Sequence, residues 1–385
     1  MNSRERVLAT LQHREPDHVP FDLGGAPNAG IHINAYRNLL RHWREDRQVV
    51  TEDIIFQKAL IDEDVLQRLK VDFRGLDFGV FASAKLLREL REEGEYFFFI
   101  NDWGIKWVKP KIKGLYYDMR QHPLPGRINA AEVDKLNTPK MPGCDEIDVF
   151  KKKAKIYRER GLVVVLAGPD GGVLEHAYAI RGHEDFMIDM VSQPNLAKRL
   201  LDKILKYKLQ YWELMLQEMS NLVDVVALGD DIGTQERLMI SPKLYRSMIK
   251  PLHRELLRYI RKNAKGSIFT LFHSCGAIKE LIPDLIEIGV DILNPVQVSA
   301  TGMDTKQLKK EFGQDLTFWG GGVDTQHVLS RGTPEEVRDE VKRRIEDLAP
   351  GGGFVFAAVH NIQPDVPPEN IMTMWEALQE YGKYT

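Results

Sequence analysis

No run of about 18 apolar residues occurs in this chain of 385 residues, so no membrane-spanning helix is expected. Cysteine is nearly missing: Cys144 and Cys275 are the only two, too few for a disulfide framework, and free thiols in a cytoplasmic chain are the expectation. An excess of either charge is also lacking. Fifty-three Lys and Arg stand against 56 Asp and Glu, leaving a net charge of -3 and no basic stripe for a nucleic acid. The opening Met1-Asn2-Ser3-Arg4-Glu5-Arg6 has none of the apolar character of a signal peptide and reads as a charged helix start. Internal repeats, low-complexity tracts and linkers are absent, which favours one domain over residues 1–385. Composition leaves the oligomeric state open, a homodimer included.

What is present is an ordinary globular balance, 43% apolar and 28% charged, able to bury a large core. Short apolar runs recur, each ending in polar or glycine residues and followed by a helical stretch. The runs fall at 19–23, 71–77, 162–167, 223–228, 267–272, 290–294, 316–319 and 353–358. Between them, Leu196, Leu200, Leu201 and Leu205 keep helical spacing within 195–219. Ser241-Pro242 starts a helix running to about 262, and Asn2 with Glu5 and Thr333 with Glu336 form capping pairs. The final helix opens at Pro367-Pro368-Glu369. Strands alternating with helices imply a parallel sheet under helices. Eight strands favour a closed (β/α)8 TIM barrel over its rival, an open doubly wound sheet. Residues 80–150 break the repeat. Tyr96-Phe97-Phe98-Phe99-Ile100, Ile105-Lys106-Trp107-Val108 and Leu115-Tyr116-Tyr117 predict an inserted β meander after the second strand, lying over the barrel mouth.

In such a barrel the residues just past each strand converge at one face, where the active site sits. Those positions hold Asp22, Arg74, Asp77, Asp170, Asp230, Asp231, His273, Cys275, Asn294, Asp324, His360 and Asn361. In Phe272-His273-Ser274-Cys275-Gly276, residues two apart point the same way along an extended strand. Imidazole and thiolate there suit a soft or borderline cation such as zinc, with His360, Asp230 or Asp231 as third ligand. The alternative is a buried cysteine at a helix start and a histidine bonded to a neighbour. The adjacent carboxylates Asp230 and Asp231 repel unless a cation or donor compensates, so metal ligation, substrate binding and proton transfer are open beside helix capping. The triplets Gly320-Gly321-Gly322 and Gly351-Gly352-Gly353 have no lysine after them as a P-loop would, and read as steric turns. Cys144 lies in a Pro-Gly-rich segment and reads as structural; Lys151-Lys152-Lys153 reads as a solvated helix face.

These residues carry a resemblance. Pro16-Asp17-His18-Val19-Pro20, Gly229-Asp230-Asp231-Ile232-Gly233-Thr234-Gln235, His273-Ser274-Cys275-Gly276, Trp319-Gly320-Gly321-Gly322-Val323-Asp324 and Asp365-Val366-Pro367-Pro368-Glu369 are similar to the uroporphyrinogen decarboxylase superfamily over nearly the whole chain. That superfamily includes zinc-dependent, corrinoid-linked methyltransferases. The decarboxylases carry Met-Arg-Gln-Ala-Gly-Arg after the first strand, where this chain has Asp22-Leu23-Gly24-Gly25-Ala26-Pro27 and no cationic clamp for an octa-acid. The methyltransferase branch resembles it better, with His273 and Cys275 at two ligand positions. His360 stands where that branch has a further cysteine.

The resemblance therefore implies methyl transfer between a small methylated substrate and a corrinoid on a separate protein, with zinc as Lewis acid. Asp230 or Asp231 would complete the site or orient substrate; Asp22, Arg74, Asp77, Asp170 and Asn294 would line it. Trp103 and Trp107 would wall a pocket for a methoxylated ring. Two other readings are a metal-independent lyase with His360 as proton donor, and a barrel that only binds a ligand or a corrinoid protein.

Overall fold

The computed structural model describes residues 1–169 and 171–384. A hairpin of β1 (Thr51–Asp53) and β2 (Lys58–Ala59) precedes β3 (Phe73–Leu76). A meander follows: β4 (Arg91–Glu93), β5 (Tyr96–Ile100), β6 (Lys106–Pro110) and β7 (Asp118–Gln121). The rest of the barrel is β8 (Val163–Ala167), β9 (Val225–Gly229), β10 (Phe269–His273), β11 (Ile292–Asn294), β12 (Thr317–Trp319) and β13 (Phe354–Val355). Parallel pairing joins β3, β8, β9, β10, β11, β12 and β13 in that spatial order.

The eighth stave is the run at 19–23, reduced to single bonds. Phe21 bridges Phe356 in parallel, while Phe21 O accepts from Asp72 N at 3.0 Å and Phe356 O from Asp22 N at 2.9 Å. Proline at position 20 removes a ladder donor, which explains why this stave is held by isolated bonds. The ring is a TIM barrel.

Strand alternation divides the core in two. Phe73, Val163, Val165, Val225, Ala227, Leu271, Ile292, Trp319 and Val355 fill the interior, while Val164, Leu166, Val226, Phe272, Leu293 and Phe318 face the helices. Every residue of β8 is buried, as a strand covered on both faces requires. Helix Ser3–Leu11, with its Asn2–Glu5 capping box, sends Val7 and Leu11 into the interior cluster and closes the barrel's amino-terminal end. The carboxyl end is left for chemistry.

Three expectations change. The helix after Ser241 is broken into Pro242–Leu244, a π-helical turn Tyr245–Ile249, and Lys250–Asn263, with Pro251 unable to donate in the ladder. The strand expected at 115–117 lies instead at Asp118–Gln121, the fourth of the meander; Tyr117 N donates to Ile55 O at 3.1 Å, and Tyr117 packs with Ile54, Leu86 and Phe99. Cys144 is exposed at the first residue of helix Cys144–Glu159, so it fills no core position. No helix among the described residues is long and apolar enough to cross a membrane.

Candidate metal centre

β10 ends at His273, and the two residues beyond it are held by bonds to neighbouring strand ends. Ser274 N donates to Asn294 O at 2.8 Å and Ser274 Oγ accepts from Ile232 N at 3.2 Å. This pinning puts His273 and Cys275 on one side, with His273 Nε2 3.4 Å from Cys275 Sγ. Such an approach needs room beside β10. A Cβ on Gly229 would fall 2.5 Å from His273 O and 2.6 Å from His273 Cβ. His360 arrives from the loop after β13, its ring centroid 5.9 Å from that of His273. One donor atom each from His273, Cys275 and His360 lie within 4.8 Å of one another.

Two carboxyl groups flank these three. Asp231 accepts from Cys275 N at 2.8 Å and lies 3.6 Å from His273 Nε2, with 38% of its side chain exposed. Glu175, in helix Val173–Arg181, holds Gly172 N at 2.9 Å. Burial, then the charges of Asp231 and Asp230, pushes its carboxyl up to about 8. Burial also drives the Cys275 thiol well above its ordinary range, with Asp231 and Glu175 adding to the rise. His360 goes the other way. Burial, then His273 and Lys58, lowers it to about 3, which leaves the neutral imidazole that ligates metals.

Asp230 does different work from Asp231. It is fully buried, and its oxygens accept from Leu174 N at 2.7 Å and Glu175 N at 2.8 Å, with His253 Nε2 at 2.9 Å. It thus caps the helix that carries Glu175 and is closed off from substrate, which corrects its expected catalytic role. Gly172 makes the approach possible, since a Cβ there would meet Asp230 Cγ at 1.9 Å.

Other expected substrate contacts move as well. Arg74 points out of the barrel because its neighbour Phe73 points in; it binds Glu63 at 2.8 and 2.9 Å between helices. Asp22 is buried, accepting from Gly25 N at 2.7 Å, Ala26 N at 2.9 Å and Trp319 Nε1 at 3.0 Å, and burial raises it to about 7. Asp77 accepts from Gly79 N at 2.8 Å and adds its charge to that of Glu52 and Asp53 around Lys58. Trp103 is 2% exposed and packs against His176 and Tyr207, so it walls no open pocket; Trp107 packs against the small cluster of Phe99 and Tyr117. Asp170 lies outside the described residues. Asn294 touches the site through His273, Nδ1 to Oδ1 at 2.6 Å.

Glu175 and Lys58 escape the strand-end reading. Glu175 lies in the first turn of the helix that follows β8, well past the end of that strand at Ala167, and its signal is the Gly172-x-x-Glu175 capping spacing. Lys58 comes from the β1–β2 hairpin, donates to Pro27 O at 2.9 Å, and sits 3.5 Å from Glu52; no periodicity marks it.

Comparison with known proteins agrees with this architecture. A methyltransferase from Methanosarcina mazei superposes with a TM-score of 0.66 at 18% identity, covering 99% of each chain. A uroporphyrinogen decarboxylase of Pseudoalteromonas translucida is 25% identical over 70% of this chain and 74% of its own. A methylcobamide:CoM methyltransferase, MtaA, of Methanosarcina barkeri is 25% identical over 67% of this chain and 70% of its own. Both relatives are enzymes, of two reaction types. The uroporphyrinogen decarboxylase (URO-D) family matches over residues 118–381, more than half of the sequence, and the chain belongs to that family.

Proposed function

We propose that this protein is a zinc-dependent methyltransferase moving a methyl group between a small methylated substrate and a corrinoid carried by a partner protein. The observation that carries the reading is the convergence of His273, Cys275 and His360 donors within 4.8 Å at the open end of the barrel. Two imidazoles and a thiol are a borderline-soft set, and tetrahedral zinc at bonds of about 2.0–2.3 Å spaces its ligands at roughly the 3.4 Å seen between His273 and Cys275. Three protein ligands leave a fourth position for substrate, the arrangement of catalytic rather than structural sites.

Bound there, the metal would supply Lewis acidity toward a methyl ether oxygen or a substrate thiol. The chain's own residues do the rest. Cys275 would hold the metal as thiolate, giving up its proton and contributing the one ligand charge. Asp231, the half-buried carboxylate beside His273, would orient the incoming substrate group. Glu175 is protonated near neutral pH and spares the mouth a further negative charge. The relative named as a methylcobamide:CoM methyltransferase supports the reaction class.

A carboxy-lyase reading has less to stand on. His360 at about 3 is a neutral imidazole at neutral pH, without the imidazolium proton that a general acid gives up, and residues 22–27 present a buried aspartate instead of arginines. The test is a thiol-dependent loss of methylcobalamin absorbance with purified, zinc-loaded protein. Turnover that vanishes in Cys275→Ser is expected. Zinc-loaded protein inert toward every thiol and methoxyarene tried, yet releasing CO2 from a carboxylated substrate, would sink the reading.

A further inference from the structure

Among buried polar side chains at the mouth, Asn294 is fixed from both ends. It is 3% exposed, at the last residue of β11. Its Nδ2 donates to Trp319 O at 2.8 Å, and its Oδ1 lies 2.6 Å from His273 Nδ1. A carbonyl can only accept, so Trp319 O dictates which way the amide faces. Oδ1 is thereby committed as the acceptor, and His273 must carry its proton on Nδ1. The lone pair of Nε2 then points at Cys275 Sγ.

Trp319 is itself held at both its side chain and its backbone carbonyl. Its indole is buried in the barrel interior, packed against Phe73 with ring centroids 4.3 Å apart and planes tilted by 46°, and its Nε1 donates to Asp22 at 3.0 Å. The series Asp22, Trp319, Asn294, His273 therefore runs from the first strand end to His273, its first three members buried. Asp22 and Asn294, expected to touch substrate, belong to this series instead.

We infer that Asn294 is a positioning residue that locks His273 in the Nδ1–H tautomer, and that its neutral amide sets the electron supply to the metal. This rests on the metal-site reading above. An aspartate at 294 would serve His273 equally but would set an oxygen against Trp319 O, which explains an amide here. A carboxylate acceptor would also make His273 a richer donor. The amide keeps the ligand set at one negative charge, from Cys275, and leaves the metal more electrophilic toward substrate.

The experiment uses full-length protein carrying 15N-labelled histidine. Long-range 1H–15N correlations of metal-free wild type, with His273 assigned through His273→Gln, are expected to show a proton on Nδ1; a proton on Nε2 overturns the inference even where no metal binds. Zinc affinity is then read by competition with a chromophoric chelator. Asn294→Leu should weaken zinc binding by about 10–100-fold, the usual cost of losing such a partner. Asn294→Asp, which restores the acceptor, should bind at least as tightly as wild type. Zinc bound equally by wild type and a folded Asn294→Leu overturns the inference and leaves the metal-site reading intact. Failure of wild type to bind zinc sinks that reading, and the tautomer measurement then decides the inference alone.

Discussion

Cys275 is the side chain whose state changes most when a cation arrives. Held protonated by burial and by Asp231 and Glu175, its thiol must lose a proton to ligate, so proton and metal compete. Zinc affinity should therefore rise close to tenfold per pH unit through the neutral range, and isothermal titration in buffers of different ionisation enthalpy should show about one proton released. His360→Cys should tighten binding by offering a second thiolate, whereas His360→Ala should lose most of it. Glu175 gives a separate signature. Its ordinary value is 4.5 and the fold raises it to about 8. Folding thus favours the protonated form. That stability is complete below the unfolded value and is lost as pH climbs through the folded one. In thermal melts of metal-free protein, Glu175→Gln should gain on wild type steadily from about pH 5 to about pH 9. A constant gap between the two would contradict the assignment.

Among the elements, helix Val173–Arg181 is positioned by a carboxylate from a neighbouring strand end. Asp230 occupies the space a Cβ at Gly172 would need and caps that helix. Gly172→Ala should cost about 1–3 kcal/mol in urea unfolding, as overpacking and a displaced cap together predict. A change near zero would mean that Asp230 relocates freely. The meander has its own small core, Ile54, Leu86, Phe99 and Tyr117. Phe99→Ala should cost about 3 kcal/mol or more. Because this cluster is separate from the barrel interior, the loss should appear as early proteolysis around residues 111–114 while barrel amides keep their protection against exchange.

For the whole molecule, the barrel was legible because buried parallel strands leave nearly continuous apolar runs, of which Leu162 to Ala167 is the plainest. The run at 19–23 was legible as a stave, but its reduction to isolated bonds was not, and neither was the π turn at Tyr245, since each is decided by tertiary bonds around a proline. At the site, His273 and Cys275 were legible because period-two spacing survives past the strand end. Arg74 and Asp230 misled because position after a strand says nothing about which way a side chain turns. Arg74 alternates with inward Phe73, and Asp230 is drawn off by two backbone amides. Lys58 was invisible, being brought in by a hairpin that belongs to no barrel repeat. What the folded chain adds is the placing of Asp231 beside His273 and of Glu175, kept protonated by burial, around a thiol that only a bound cation would draw into its thiolate form.

X-ray absorption at the zinc edge of the purified, zinc-loaded protein tests the central claim most directly. One sulfur at about 2.3 Å with nitrogen or oxygen ligands at about 2.0–2.1 Å is predicted, the sulfur shell disappearing in Cys275→Ala. Zinc surrounded by oxygen alone, or a sulfur shell unchanged by that substitution, would contradict it.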